Sequence, residues 1–375
     1  MRSGIWRRSA RTCPPATTIY GRGILGGIGS AVPDSPNVPV NTLRACLRER
    51  YDLVASALEF LPRGHDYRAG VYRVVSEQGV AYLLKVTSRP LYEPSCLVPR
   101  YLRDQGITAV VAPLPTTSGA LWTQLAGWTV MVYPFLEGDT SLTSMTDEQW
   151  RETGNIFRRI HQVQLPPDGF PSMRRESFDP AGYVRWVRAF EAERLPAQHD
   201  GDGPARDLCA SWLAHQSTIH TAVTSLEHLG QALHSRTIPY VVAHADVHAA
   251  NLLRDADGQV FVLDWDEVML APKERDFIFI REPQASAFWE GYGVRASEEI
   301  DWVALTYFRW ERVIQDMIEE AQQALSRDDV GEDARALAAQ RFAATFAPGV
   351  NVAAARAAAA HLPQDLSAPP RLDGE

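Results

Sequence analysis

The sequence predicts an α+β fold in two unequal parts, and three observations carry that expectation. Strand-like stretches gather early: Gly70-Val-Tyr-Arg-Val-Val75, Val80-Ala-Tyr-Leu-Leu-Lys-Val86 and Trp128-Thr-Val-Met-Val-Tyr-Pro-Phe-Leu-Glu-Gly138. Each is alternating or continuously apolar and is bounded by turn formers. Helix-period patterns then fill most of the chain from Thr146 to about Leu325. Within that helical part lies one further pair of apolar runs, Val241 to Leu253 and Val260 to Leu263, joined by the turn-rich Arg254-Asp-Ala-Asp-Gly258. Strands first and helices after them are the order of an α+β fold.

Composition bounds what such a chain does. Its 375 residues suffice for two lobes with a sizeable core. Basic residues number 37 and acidic ones 46, a net charge of −9. That balance disfavours nucleic acid or an anionic membrane as partner and suits a small cationic one. Cys13, Cys46, Cys96 and Cys209 are scattered, so reduced thiols of a cytoplasmic protein are expected rather than a disulfide frame. No apolar run reaches the length that spans a bilayer.

Taken in order, residues 1–40 read as a disordered extension. Gly21-Arg-Gly-Ile-Leu-Gly26 matches a dinucleotide fingerprint literally, but Pro33, Pro36 and Pro39 forbid the long helix that should follow. Asn41 or Thr42 can cap a helix through Arg50. The hairpin around Glu77-Gln-Gly79 follows. A helix is expected from Tyr92 to Arg103, with Pro94 and Pro99 as complications. Thr146-Asp-Glu-Gln149 is a capping box opening a helix that ends near His161, a residue read as structural. Phe178-Asp-Pro opens another, a long helix spans Ala205 to about Leu233, and an amphipathic one runs from Trp302 to about Leu325. The alanine-rich stretch from 348 to 375 reads as a frayed helix and a loose tail.

The chemistry concentrates at the second pair of apolar runs. His244-Ala-Asp-Val-His-Ala-Ala-Asn251 ends the first, and Asp264-Trp-Asp266 ends the second. Asn251 follows Asp246 by five positions and Asp264 follows Asn251 by thirteen, the spacing of a kinase catalytic loop and its metal aspartate. A carboxylate accepts the proton of an attacking hydroxyl, and an amide oxygen with a second carboxylate supplies hard ligands for Mg2+. A zinc-hydrolase ligand set would also use His-x-Asp-x-His, but it leaves Asn251 and Asp264 unexplained. A satisfied polar turn without chemistry is the blander alternative.

These residues resemble the aminoglycoside phosphotransferase family, and Leu270-Ala-Pro-Lys-Glu-Arg-Asp-Phe277 resembles its spectinomycin phosphotransferase branch. The resemblance covers roughly residues 42 to 325 and implies a two-lobed protein-kinase-like fold. A nucleotide-covering lobe would span 41–136, and 137–347 would carry the catalytic loop and a helical substrate subdomain. It implies ATP and Mg2+ as cofactors, Asp246 as base, and Asn251 and Asp264 as metal ligands. Lys85 would hold the phosphates with Glu93 as its partner and Gly70 nearby, while Met131, Tyr133 and Phe135 would frame the adenine. His244 and His248 would brace the loop, Asp276 would tether it, and Asp266 stays open between the two roles. Glu311 and Glu290 are candidates for substrate ammonium groups, with a solvated helix face as the alternative. The expected activity is ATP-dependent phosphorylation of an aminocyclitol or aminoglycoside hydroxyl by a monomer. A kinase of choline, homoserine or a sugar amine is the alternative within the fold, and a nucleotide-binding pseudokinase lies outside the enzyme class.

Overall fold

Alternation along Ala69–Ser76 turns Gly70, Tyr72, Val74 and Ser76 inward and the residues between them outward. That strand is the second of a five-stranded antiparallel sheet in the computed structural model, which describes residues 38–61, 69–141, 145–166, 168–198, 201–293, 299–326 and 331–367. The strands are β1 (Ala55–Leu61), β2 (Ala69–Ser76), β3 (Ala81–Thr87), β4 (Thr123–Leu125) and β5 (Trp128–Pro134), in the spatial order β1-β2-β3-β5-β4. Helix α1 (Val40–Tyr51) covers one face with Leu43, Cys46 and Leu47, which pack on Tyr72, Val74, Leu84, Val86, Val130 and Val132. Register places Val71, Lys85 and Met131 in one row across the sheet. Because side chains alternate, Lys85 and Met131 lie on the face opposite α1. Buried Cys96, from helix α2 (Pro94–Asp104), meets Met131 there.

The helical part is built on α3 (Asp147–His161), α4 (Ala181–Ala189), α5 (Gly203–His234), α6 (Ala285–Tyr292) and α7 (Trp302–Leu325), followed by α8 (Glu332–Ala344) and α9 (Asn351–Ala359). The capping box forms as expected: Thr146 accepts from the Gln149 N–H, and the Gln149 side chain accepts from the Thr146 N–H. Asp202 and Asp301 cap α5 and α7 through their carboxylates. One continuous apolar core joins these helices, with Phe157, Trp212, Leu226, Tyr307, Phe308 and Phe342 fully or almost fully buried in it. No helix among the described residues is long and apolar enough to cross a membrane.

Several sequence expectations are corrected. Ala55–Leu61 forms an unforeseen strand pairing with β2. The expected hairpin around Glu77-Gln-Gly79 forms as β2–β3, and β1 adds a strand at its edge; the β1–β2 connection, residues 62–68, lies outside the described residues. Val241–Ala243 (β6) does not pair with the run after the loop. It pairs with β9 (Met269–Ala271), while β7 (Leu252–Arg254) pairs with β8 (Val260–Val262). Helix α1 starts at Val40 without a side-chain cap, and Val38 is already buried. Residues 1–37 and the glycine motif within them lie outside the described residues. The stretch after 348 is not uniformly loose: Val352 and Ala355 of α9 are buried in the main core, and Ala358 is buried as well. Pro94 opens α2 at its first position, where a missing N–H costs nothing, and Pro99 lies inside that helix.

Helices α3 and α6 approach with glycine at the contact. A Cβ on Gly154 would overlap the Phe288 carbonyl oxygen, and one on Gly291 would overlap the Arg151 carbonyl oxygen. Neither obstacle is a flexible side chain, so the helices would have to separate. Gly291→Ala should therefore lower the unfolding free energy by about 1–3 kcal/mol. A denaturant titration checks this, and an unchanged midpoint would show that the helix pair yields freely.

Candidate active site

The loop 244–251 is fixed from beneath by one fully buried carboxylate. Asp276, in the 3₁₀ turn Lys273–Phe277, accepts from the backbone N–H of His244 at 3.0 Å and of Ala245 at 2.6 Å. Its Oδ2 also lies 2.9 Å from His161 Nε2 on α3. With Nε2 donating to Asp276, His161 Nδ1 accepts from the Tyr292 hydroxyl of α6 at 2.7 Å. The close α3–α6 contact thus positions the loop's anchor. Ala245 takes φ of +70°, a left-handed conformation that costs a residue with a side chain of order 1–3 kcal/mol. Asp276's bonds to His244 and Ala245 hold the turn that requires it.

His244 does for the second segment what Asp276 does for the first. Its Nε2 donates to the Leu263 carbonyl at 2.8 Å, and its Nδ1 accepts from the Asp246 N–H at 3.3 Å. The Leu263 N–H donates to the Asn251 carbonyl at 2.9 Å. Leu263 is thereby held by both ends of the loop, and Asp264 follows it at φ of +55°. Trp265 is buried with its ring 4.7 Å from that of His244, while Asp264 and Asp266 on either side remain exposed. The sequence read Asp264 correctly as a strand-end acid, and the left-handed turn explains how it leaves the hairpin.

Asp246 is surrounded by donors. Asn251 Nδ2 lies 2.9 Å from its carbonyl and 3.2 Å from Oδ2, and His248 Nε2 lies 3.2 Å from the same Oδ2. Arg312 of α7 donates to Oδ1 at 3.2 Å. Burial alone would raise this carboxyl, but His248, Arg312 and His244 outweigh it and lower the pKa to about 2. The side chain is therefore ionised throughout the neutral range, ready to accept a hydrogen bond from a hydroxyl.

Lys85 reaches from β3 to the turn after β8, 2.7 Å from Asp266 and 3.7 Å from Asp264. Burial works against its ammonium, yet the two aspartates prevail and raise its pKa. Asp246 is bonded to Asn251, whose carbonyl holds Leu263 just before Asp264, and Asp264 with Asp266 pairs with Lys85, so one chain of contacts links the four predicted residues. Tyr92 and Arg174 support it in a way that the sequence did not suggest. The Tyr92 hydroxyl donates to the Val268 carbonyl at 2.8 Å, and the Arg174 guanidinium lies 4.0 Å above the Tyr92 ring while pairing with Glu267 at 2.8 Å.

Other predicted residues fall differently. Glu93 is exposed at the start of α2, and Lys85 pairs instead with the aspartates after β8. A helix beginning at Pro94 leaves Glu93 at its solvent end. Glu311 is buried in an ion pair with Arg275, and burial raises its pKa. It is committed to the interior, one step around α7 from Arg312. Glu290 is an exposed partner of Arg151, at 2.9 Å, which ties α6 to α3. Gly70 is buried opposite Val86, beside the Val71–Lys85 pair. Met131 and Tyr133 share the Lys85 face of the sheet, where the Tyr133 hydroxyl lies 3.7 Å from Met131 Sδ. Phe135 follows β5, its ring 5.2 Å from the Arg73 guanidinium.

The donor set suits a hard divalent cation. With Nδ2 turned to Asp246, Asn251 has its Oδ1 available, and Asp264 offers an exposed carboxylate. Among the described residues no cluster of three or more His, Cys, Asp or Glu is placed to bind a metal. A zinc-hydrolase centre at His244 and His248 therefore finds no support, since His244 spends both nitrogens on the backbone.

The model of the phosphotransferase enzyme family matches residues 59–308 of the chain. A spectinomycin phosphotransferase solved with ADP and spectinomycin is similar at 28% identity, over 87% of this chain and all of that one, with a TM-score of 0.78. A second spectinomycin phosphotransferase structure, bound to AMP, is 26% identical over 84% of this chain and 98% of that one, with a TM-score of 0.73. An aminoglycoside phosphotransferase from Alicyclobacillus acidocaldarius shares the fold, at 17% identity over 89% of this chain and 97% of that one, with a TM-score of 0.58. No curated protein matches the sequence.

Asp276 is the testable keystone of this arrangement. Asp276→Ala leaves buried N–H donors of the loop without a partner and should cost about 3 kcal/mol of stability. A loss under about 1 kcal/mol in chemical denaturation would contradict the anchoring role, since one unsatisfied buried donor alone costs that much.

Proposed function

The chain belongs to the phosphotransferase enzyme family, as a small-molecule kinase of mixed α+β fold, and on that premise we propose that it transfers the γ-phosphoryl group of ATP to a hydroxyl of an aminocyclitol such as spectinomycin. The observation that carries this reading is the linked set of side chains: an ionised, donor-fixed Asp246 bonded to Asn251, and a lysine paired with the two aspartates that follow the loop's hairpin. Similarity to the spectinomycin enzyme supports the choice of acceptor, and the nucleotides bound by the solved relatives support ATP.

In this reading Asp246 accepts a hydrogen bond from the acceptor hydroxyl and takes its proton as the oxygen bonds to the γ-phosphorus. The bond from that phosphorus to the β,γ-bridging oxygen breaks, and ADP leaves. Lys85 draws the phosphates to the sheet. Asn251 and Asp264 would hold Mg2+, which when bound neutralises charge on the phosphoryl oxygens. Cys46, Cys96 and Cys209 are buried free thiols, which suits an enzyme of the reducing cytoplasm, where ATP is at hand.

A magnesium–ATP consumption assay over spectinomycin, other aminoglycosides, choline and homoserine tests the reading. Turnover of spectinomycin is expected; turnover of choline or homoserine alone would replace the acceptor and keep the mechanism. Asp246→Ala should lower kcat by about 10²–10⁴-fold with ADP still bound. Asp264→Ala should remove the magnesium dependence of nucleotide affinity, and undiminished dependence would place the metal elsewhere.

A further inference from the structure

The interactions of Arg312 run beyond Asp246. Its side chain is about one-third exposed, with Nη1 on Asp246 Oδ1 and Nε 2.7 Å from Asp316 Oδ1, four residues on along α7. This second approach is an ion pair without hydrogen-bond alignment. Asp316 is held in turn by Asn351, whose Nδ2 donates to Oδ2 at 2.6 Å. Asn351 opens α9, and its Oδ1 accepts from Arg281 at 2.7 Å; Arg281 also donates to the Gly349 carbonyl at 3.3 Å. Nearby, buried Arg309 spans the Ile280 and Ala354 carbonyls at 2.8 and 3.1 Å. Phe279 forms the floor: the Arg312 guanidinium lies 5.2 Å from its ring centre, and His248 meets the same ring edge-on at 5.7 Å.

We infer that Arg312 is a positioning residue for Asp246, and that Asp316 and Asn351 set its reach, so that the C-terminal helix α9 aims the base. The inference rests on Asp246 being the proton acceptor. Asn251 and His248 both act on Oδ2, so they fix one oxygen and leave the carboxylate free to rotate about it. Arg312 fixes the other oxygen. A guanidinium is a planar fork, able to hold Asp246 with one arm while Asp316 holds its Nε edge. Because Oδ1 has a second lone pair, the acceptor hydroxyl can approach while Arg312 stays. The stretch expected to be a loose tail thereby contributes to the site without touching it.

The test uses the full chain, with Arg312→Met, Arg312→Lys and Asn351→Ala, on spectinomycin. Arg312→Met should lower kcat by about 10- to 100-fold with KM changed little, since misplacing a reacting group costs rate more than binding. Arg312→Lys should recover part of the loss by restoring one contact, and Asn351→Ala should lower kcat less than Arg312→Met does. Hydrogen exchange at residues 244–248 should quicken in Arg312→Met and Asn351→Ala, with the β1–β3 strands unchanged. Should the parent enzyme turn over no spectinomycin, the acceptor assignment fails and the exchange comparison still decides the inference. Unchanged kcat, or equal losses in the Met and Lys variants with unaltered exchange in the loop, would overturn it; so would unaltered loop exchange in a chain inactive on spectinomycin.

Discussion

Everything at the site depends on one buried carboxylate accepting three N–H groups. Asp276 bonds the backbone of His244 and Ala245 and the ring of His161. The arrangement is stable because donors in the low-dielectric interior satisfy the oxygens, and it is demanding because losing the acid strands those donors. From it follow the left-handed Ala245, the ring orientation of His244 and, through Leu263, the emergence of Asp264. A loop of eight residues is thus tied down at both ends. Phosphoryl transfer asks for such rigidity, because the protein contributes mainly position and charge.

A second constraint runs across the two parts of the molecule. Lys85 sits on the sheet face opposite α1, and its ammonium lies between Asp264 and Asp266. The pair of acids keeps the lysine charged despite its burial. Phosphate oxygens and a divalent cation would compete for the same partners.

The legibility of the sequence divides along physical lines. Spacing within one segment was readable: Asp246, Asn251 and Asp264 lie within one loop and the hairpin after it, and Thr146 with Gln149 is a local device. Strand β1 was missed because Ala-Ser-Ala-Leu-Glu-Phe-Leu is short and only weakly patterned, and its pairing with β2 supplies what propensity lacks. Glu93 falls just before α2, which begins at Pro94, and Glu311 is turned inward because one residue of helical phase separates an outward charge from a buried one. Arg312 stands 66 positions from Asp246, and no local pattern announces a contact between them. The C-terminal helix read as loose because alanine carries little hydrophobic signal, yet small side chains are what let it lie close on α7.

The central claim is that this constellation is one nucleotide-and-metal site with Asp246 at its acceptor side. A crystal structure with a non-hydrolysable ATP analogue and magnesium tests it most directly. The account predicts metal bonded by Asn251 Oδ1 and the Asp264 carboxylate, Lys85 on the phosphates, and the terminal phosphoryl group facing Asp246. Metal held by other side chains, or phosphates directed away from Asp246, would contradict it.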